Sequence, residues 1–253
     1  MYPEEMYDYV VRRKKANKIL AVLRDCLRES DGKKRLLDVG CSTGIITSEL
    51  SRCFDSTLGI DIDRDAVEYA KKHFSRSTLD FSIQDSMNFA VADNSIDVAV
   101  CNQVYEHVPD AARLMSEILR VLKPGAICYF AAENRFNIME HHYNLPFLSV
   151  VPRRAAHFYL RLMRRGDYYY ERLYTYWELK RLASRFEIVD YTSRIIREPE
   201  RFHADDLVKP GSAARKIALL VLKTCYWLFP AYIWILKKKP EEQDTGLLSG
   251  TLR

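Results

Sequence analysis

Residues 36–44 read LLDVGCSTG, an apolar run that closes on an acid and passes into a turn holding two glycines. Downstream, residues 58–63 read LGIDID, a second apolar run ending in an acid. Strand, glycine turn, helix, strand, acid is the order by which an open parallel sheet binds an adenosine-containing molecule at its carboxyl edge. Gly40 and Gly44 fit that turn because a side chain there would strike a ligand lying on the backbone, or would forbid the dihedrals the turn requires. Asp61, at the tip of the second run, stands where a carboxylate can accept both ribose hydroxyls.

The rest of the chain continues the pattern. Gln84-Asp85 follows, then IDVAVCNQVYEHV at 96–108 and LKPGAICYF at 122–130. Alternating strands and helices with near-continuous apolar strands imply a parallel sheet covered on both faces. In this order the motifs resemble the class I S-adenosylmethionine-dependent methyltransferases, in the branch that includes ubiquinone-biosynthesis and many small-molecule O-methyltransferases. The resemblance is close over 35–130 and looser over 174–196. A dinucleotide-binding dehydrogenase shares the glycine turn and later acid, but expects a helix-packing glycine further along, where Ile45 and Ile46 stand.

The resemblance implies an enzyme with S-adenosylmethionine as its cofactor and an α/β fold: a Rossmann-like, mostly parallel sheet of about seven strands with an antiparallel final strand, helices on both faces, and an inserted lid. It assigns Asp38, Gly40 and Gly44 to the methionyl end of the cofactor, with Cys41 between them also a cofactor contact, Asp61 to ribose and Ile62 to the adenine face. Asp85, with Ser86 beside it, would bond the adenine amino group, Phe89 would pack nearby, and Asn102 would end strand four beside the reactive methyl. One position departs from the family: its third glycine, midway between the two present, is Ser42 here. A serine is small enough to be tolerated, with its hydroxyl near the methionine carboxylate.

His107 resembles the EH signature that follows strand four in the family. It is read either as a general base, since imidazole titrates near neutrality, or as a structural feature of the loop. In ubiquinone-type O-methyltransferases the same loop carries a further acid that helps bind a divalent metal; Gln103 stands there instead. Glu106 and His107 alone are too few ligands, although Glu140, His141 and His142 could complete a set, so no metal is expected. His141 or His142 is the candidate base or substrate contact contributed by the lid.

At 253 residues the chain suits one α/β domain with insertions. An amphipathic leading helix falls within an N-terminal cap over 1–34. Strands are expected at 35–39, 56–60, 80–83, 96–101 and 127–131, with Asp63 capping the helix after the second and Lys123-Pro124-Gly125 ending the helix before the fifth. Residues 135–174 are too long for a plain connection and form the expected substrate lid; a helix is expected over 175–186, and a second insertion over 197–211. The apolar run at 217–236 approaches the length of a membrane span, but Lys223 and Pro230 divide it into a helix at 213–229 and a final strand at 231–236 within the segment 213–239. That helix is read as packed under the insertions, lying on a membrane interface, or, least favoured, spanning.

The six cysteines, Cys26, Cys41, Cys53, Cys101, Cys128 and Cys225, form no CxxC pair and read as reduced, buried apolar residues. The first residues lack a signal-peptide core, so a cytoplasmic setting, with membrane association as an option, is expected. The net charge of +5 is mild, but Arg153, Arg154, Arg161, Arg164, Arg165 and Arg172 crowd one segment among Phe158, Tyr159, Tyr168, Tyr169 and Tyr170. Such a face suits nucleic acid, an anionic membrane or a phosphate-bearing substrate, or is simply a solvated helix.

These features point to O-methylation of a lipophilic or lipid-linked small molecule, with peripheral membrane contact as an expectation. An RNA or protein methyltransferase using the Arg/Tyr-rich insertion is the alternative, but 102–105 lack the prolines that RNA amine-methylating enzymes carry after strand four. A non-catalytic cofactor-binding partner protein is the remaining option.

Overall fold

The computed structural model describes residues 7–27, 34–205, 208–209 and 211–239. The N-terminal part of the cap expected over 1–34, and its last residues, lie outside that set. Its helix, α1, runs Tyr9–Cys26 and is capped by Asp8, whose carboxylate accepts the N–H groups of Val10 and Val11. Ala16, Ile19, Leu20, Val22 and Leu23 form its buried stripe, whereas Val10 is exposed.

The chain then alternates: β1 (Arg35–Val39), α2 (Ile45–Leu50), β2 (Ser56–Asp61), α3 (Arg64–Phe74), β3 (Leu79–Ile83), β4 (Ile96–Asn102), α4 (Ala111–Val121) and β5 (Leu122–Glu133). Asp63 caps α3, accepting from Asp65 and Ala66. After an insertion containing a short hairpin, β6 (Met139–Glu140) and β7 (Leu145–Pro146), and helix α5 (Arg153–Leu162), come α6 (Tyr176–Leu182), β8 (Phe186–Asp190), α7 (Thr192–Arg197), α8 (Ala213–Thr224) and β9 (Ala231–Lys238).

The seven-stranded sheet has the order β3-β2-β1-β4-β5-β9-β8. Every pairing among the first five strands is parallel, and β9 runs antiparallel to both neighbours. Strand periodicity sends alternate side chains to opposite layers. Val98, Val100, Ile127 and Tyr129 face α1 and α2, while Ala99, Cys101, Cys128 and Phe130 face α4 and α6. Burying each large apolar side chain contributes about 1.5–3 kcal/mol, which is why the central strands are apolar on both faces.

Several expected boundaries move. Helix α4 ends at Val121 as expected, but β5 begins at once: Leu122 pairs with Ile96 and Ile127 with Val98, so Lys123-Pro124-Gly125 forms a bulge within the strand rather than a connection before it. Gly125 has φ +77° there. Helix α6 starts where expected, through a reciprocal capping box between Thr175 and Glu178, but stops at Leu182; Phe186 opens an edge strand instead. Helix α8 ends at Thr224, and Tyr226–Leu228 form a single 3-10 turn. No helix among the described residues is long and apolar enough to cross a membrane. The inner face of α8 packs Ala218, Leu219, Val221 and Leu222 on the core, while Ile217 and Leu220 are exposed. All six cysteines are free thiols, but only Cys41, Cys101 and Cys128 are buried; Cys53 is exposed, contrary to the reading of all six as interior.

The segment 135–174 carries its own small core, Leu145, Leu148, Ala156, Leu160 and Tyr169. It is anchored at both ends. Buried Asn134 donates its amide to the Trp227 and Phe229 carbonyls and to Tyr232 Oη. On the return, Tyr174 N donates to Tyr105 Oη, and Tyr105 Oη donates to the Glu133 carbonyl at 2.5 Å. The segment therefore starts and ends over the carboxyl tips of β4 and β5.

Candidate active site

Asp38, near the tip of β1, is 4 % exposed and accepts the Thr47 hydroxyl at 2.5 Å. Burial pushes its carboxyl up to about 7, against the Thr47 bond, which favours the charged form. The turn that follows is closed by Gly40 N and Cys41 N donating to the Ile60 carbonyl at 2.8 and 3.0 Å. Gly40 and Gly44 both adopt left-handed dihedrals, with φ +74° and +75°. A steric reason is already present within the protein. A Cβ on Gly40 would stand 2.6 Å from Val104 Cγ2, and one on Gly44 would stand 2.7 Å from Ala70 Cβ and Phe81 Cε1. The protein itself fills both spaces.

Ser42, at the family's missing glycine, also lies in the left-handed region, with φ +50°. Its backbone N–H donates to Asp61 Oδ2 at 2.7 Å, and its hydroxyl is buried with no partner. Asp61 Oδ1 accepts from Asp63 N at 3.0 Å. Each carboxylate oxygen thus holds one backbone N–H and keeps a lone pair for another donor. Ile62, beside it, is 72 % exposed, an apolar side chain in solvent. At the tip of β3, Asp85 Oδ1 accepts from Met87 N at 2.8 Å, with Ser86 between them. Phe89 is buried in the core below.

Asn102 ends β4, and Gln103 follows it with φ +57°. The Gln103 amide donates to Glu133 Oε1 at 3.0 Å, which fixes it at the tip of β5. Burial holds Glu133 above the ordinary carboxylate range. A cavity of about 430 Å³ opens here, lined by Asn102, Gln103 and Glu133 below, His141 from the hairpin turn, and Lys15 and Lys18 from α1.

The two adjacent lid histidines part company. His141 lines that cavity. His142 bonds through Nδ1 to Glu140 Oε1 at 2.7 Å, and its ring meets the His107 ring edge-on with centroids 5.0 Å apart. Burial lowers His142, but the bond to Glu140 and that residue's charge outweigh it, so its pKa rises. Burial, reinforced by His142, drops His107 to about 4. Glu106 is 1 % exposed and pushed up by burial to about 8. Glu171, from the returning end of the insertion, completes a trio in which donor atoms of His107, His142 and Glu171 lie within 4.8 Å of one another.

Comparison with known proteins bears directly on this architecture. Residues 37–130 match the family model described as a methyltransferase domain. The chain is 30% identical over 193 residues to a ubiquinone biosynthesis O-methyltransferase of Thiobacillus denitrificans, covering 73% of this chain and 79% of that protein. The chain belongs to the class I S-adenosylmethionine-dependent methyltransferases. A further ubiquinone biosynthesis O-methyltransferase, of Methylococcus capsulatus, is 31% identical over 138 residues, covering 53% of this chain and 54% of that protein. Among solved structures, an S-adenosylmethionine-dependent methyltransferase of Mesorhizobium loti matches with a TM-score of 0.56 at 17% identity, covering 87% of this chain and 97% of the other. One from Methanosarcina mazei matches with a TM-score of 0.55 at 21% identity, covering 87% and 98%. Those two likenesses are of fold.

As a methyltransferase of this class, the chain is an enzyme whose methyl donor is S-adenosylmethionine. The residues expected to hold the donor fit that molecule on this structure's own terms: a glycine turn without side chains, an unpartnered buried hydroxyl at Ser42, open lone pairs on Asp61 and an exposed apolar Ile62 at the same sheet edge. Sequence reasoning missed Glu133, Lys15, Lys18 and Glu171. Glu133 carried the one available signal, an acid closing an apolar central strand as Asp61 does.

Proposed function

We propose that this methyltransferase transfers the donor's methyl group to an oxygen of a lipophilic small molecule held in the cavity at the tips of β4 and β5. The observation that carries the reading is His141, the imidazole that shares this cavity with Asn102 at the carboxyl edge of the sheet. Support also comes from the relatives, about 30% identical, named ubiquinone biosynthesis O-methyltransferases. Exposed Phe158 and Leu162 on α5, with Ile217 and Leu220 on α8, provide apolar surface with which to meet a lipid phase.

In this reading Asp38 and the Gly40–Gly44 turn receive the methionyl end, with the Ser42 hydroxyl donating to its carboxylate. Asp61 accepts the ribose hydroxyls, Ile62 covers adenine, and Asp85 with Ser86 accepts its amino group. The bound donor supplies a methyl group activated by a positively charged sulfur, transferable by in-line displacement. The protein's share is alignment and exclusion of water. Asn102 sets the acceptor's approach from the tip of β4, and residues 135–174 cover the cavity. His141 takes the hydroxyl proton as the oxygen–carbon bond forms and the sulfur–carbon bond breaks. S-adenosylhomocysteine and the methyl ether leave, and the proton passes from His141 to solvent.

The test is methyl transfer from labelled S-adenosylmethionine to lipid, small-molecule and RNA extracts, with membrane vesicles included in one arm. Label is expected in the organic phase, and His141→Ala is expected to lower the rate by about 10²–10⁴-fold with donor affinity retained. Label confined to RNA, or full turnover in His141→Ala, refutes the reading.

A further inference from the structure

We propose that the acceptor, bound as in the reading above, carries an anionic group, a carboxylate or a phosphate, that Lys15 and Lys18 of α1 hold in the cavity at the tips of β4 and β5. The two lysines are three residues apart on α1, so their side chains leave the same face of the helix. Both are half-buried and line the cavity, whereas their neighbour Lys14 is exposed. Long basic side chains ordinarily extend their charge into water; here two of them converge on one concave site.

The charge balance of that site is positive. An ammonium group offers three donors and no acceptor. Glu133 is the one acid among the residues lining the cavity, and burial holds it above the ordinary carboxylate range, which disfavours its charged form. The amides of Asn102, Gln103 and Asn144 add no charge of their own.

A second, independent observation is an atom of Glu133 itself. The residue is 3 % exposed, and its Oε1 accepts the Gln103 amide at 3.0 Å, yet its Oε2 is buried with no hydrogen-bond partner. A buried polar atom left alone is costly, and in a functional cavity it marks a place where a ligand atom belongs. Protonated, Oε2 is a donor. A carboxylate or phosphate oxygen is the acceptor that this donor and both ammonium groups lack in common, whereas an uncharged hydroxyl would answer Oε2 alone.

The donor's own carboxylate is received elsewhere. No residue of the Gly40–Gly44 turn lines this cavity, which is built instead on β4, β5 and β9 through Asn102, Ala131 and Ile233. Lys15 and Lys18 therefore face the acceptor's side of the sheet edge, together with His141. A volume of about 430 Å³ accommodates a small ring bearing both a hydroxyl and an anionic group.

Full-length protein saturated with S-adenosylhomocysteine is titrated calorimetrically with the three hydroxybenzoates, the matching uncharged hydroxybenzamides and the matching hydroxyphenyl phosphates. The acids or the phosphates are expected to bind about 10–100-fold more tightly than the amides, as charged hydrogen bonds do, and the tighter of the two identifies the anion. Lys15→Gln and Lys18→Gln are each expected to cut that preference about tenfold, while Lys14→Gln leaves it unchanged and all three variants retain affinity for S-adenosylhomocysteine. Amides that bind as tightly as both anions overturn the proposal. So does an anion preference that survives in both Lys15→Gln and Lys18→Gln; loss of S-adenosylhomocysteine affinity in those variants then gives the lysines to the donor. A labelled methyl group on the amide's hydroxyl, without any anion preference, leaves the proposed transfer standing and removes the anionic class. Tight anion binding with no label on its hydroxyl does the reverse.

Discussion

Replacing Ser42 by glycine is expected to stabilise the donor-free protein. Ser42 has φ +50°, and an L-residue in that region costs about 1–2 kcal/mol. Glycine removes this cost but adds about 0.5–1 kcal/mol through the greater freedom of the unfolded chain. The hydroxyl tips the balance further. It is buried without a partner, and an unsatisfied buried polar group costs about 1–3 kcal/mol. The bond that position 42 makes to Asp61 uses the backbone N–H and survives the change. The net gain is about 1–4 kcal/mol, which for a chain of this length raises the melting midpoint by about 2–16 °C. Urea unfolding followed by tryptophan fluorescence, with and without S-adenosylhomocysteine, checks both halves of the argument. If the hydroxyl donates to the cofactor's carboxylate, Ser42→Gly binds that ligand about 10–100-fold more weakly, since a hydrogen bond to a charged group contributes about 1.5–3 kcal/mol. An unfolding midpoint at or below wild type refutes the claim of strain. Unchanged ligand affinity removes the hydroxyl from the donor site.

Two other perturbations probe the same turn. Gly44→Ala is expected to destabilise by about 2–5 kcal/mol, combining the left-handed penalty with overpacking against Ala70 and Phe81; a denaturation midpoint within error of wild type sinks the packing account. The second concerns pH. Asp38 is raised to about 7 in the folded state from an ordinary aspartate value near 3.9. The folded protein therefore holds this proton more tightly than the unfolded chain, and its contribution to stability falls as pH rises from about 4 to about 7. At about 1.4 kcal/mol per pH unit, that limb amounts to at most about 4 kcal/mol. Asp38→Asn is expected to remove it, which unfolding curves at several pH values will show as a flatter acid-to-neutral profile; an identical slope in both proteins contradicts the assignment.

The parts of this fold legible in the sequence are those where one physical requirement dominates. Strands β1, β2 and β4 are buried on both faces, so their apolar runs mark them within a residue of their observed ends. Asp63 announced the start of α3 because a carboxylate at that position satisfies free N–H groups. Where two requirements compete, local sequence does not decide between them. Proline and glycine at 124–125 end a helix or bulge a strand with equal local logic, and only pairing of Leu122 with Ile96 decides for the strand. The edge strand β8 escaped because FEIVD is short and mostly half-buried. The helix expected over 213–229 overshoots the observed Ala213–Thr224 because its apolar run continues through a 3-10 turn that sequence periodicity cannot tell from a helix.

The candidate site divides along the same line. Positions held by backbone geometry, Gly40, Gly44 and Asp61, follow from the turn itself, because a tight strand-to-helix connection leaves little choice of where an acid two turns of chain away can point. Side chains supplied by the insertion obey no such rule. His141 and His142 are neighbours, and nothing in their order says that one lines the cavity while the other turns to Glu140. That division is made by tertiary anchors: Asn134 and Tyr105 fix the two ends of the insertion, and the Arg172 N–H donates to the Glu106 carbonyl at 2.9 Å, laying the returning strand beside the YEHV loop. Glu171 reaches His107 as a consequence of that one backbone bond. The loop after β4 and the returning stretch are thus registered by main-chain contacts, and the chemistry between them depends on a pairing that neither segment encodes alone.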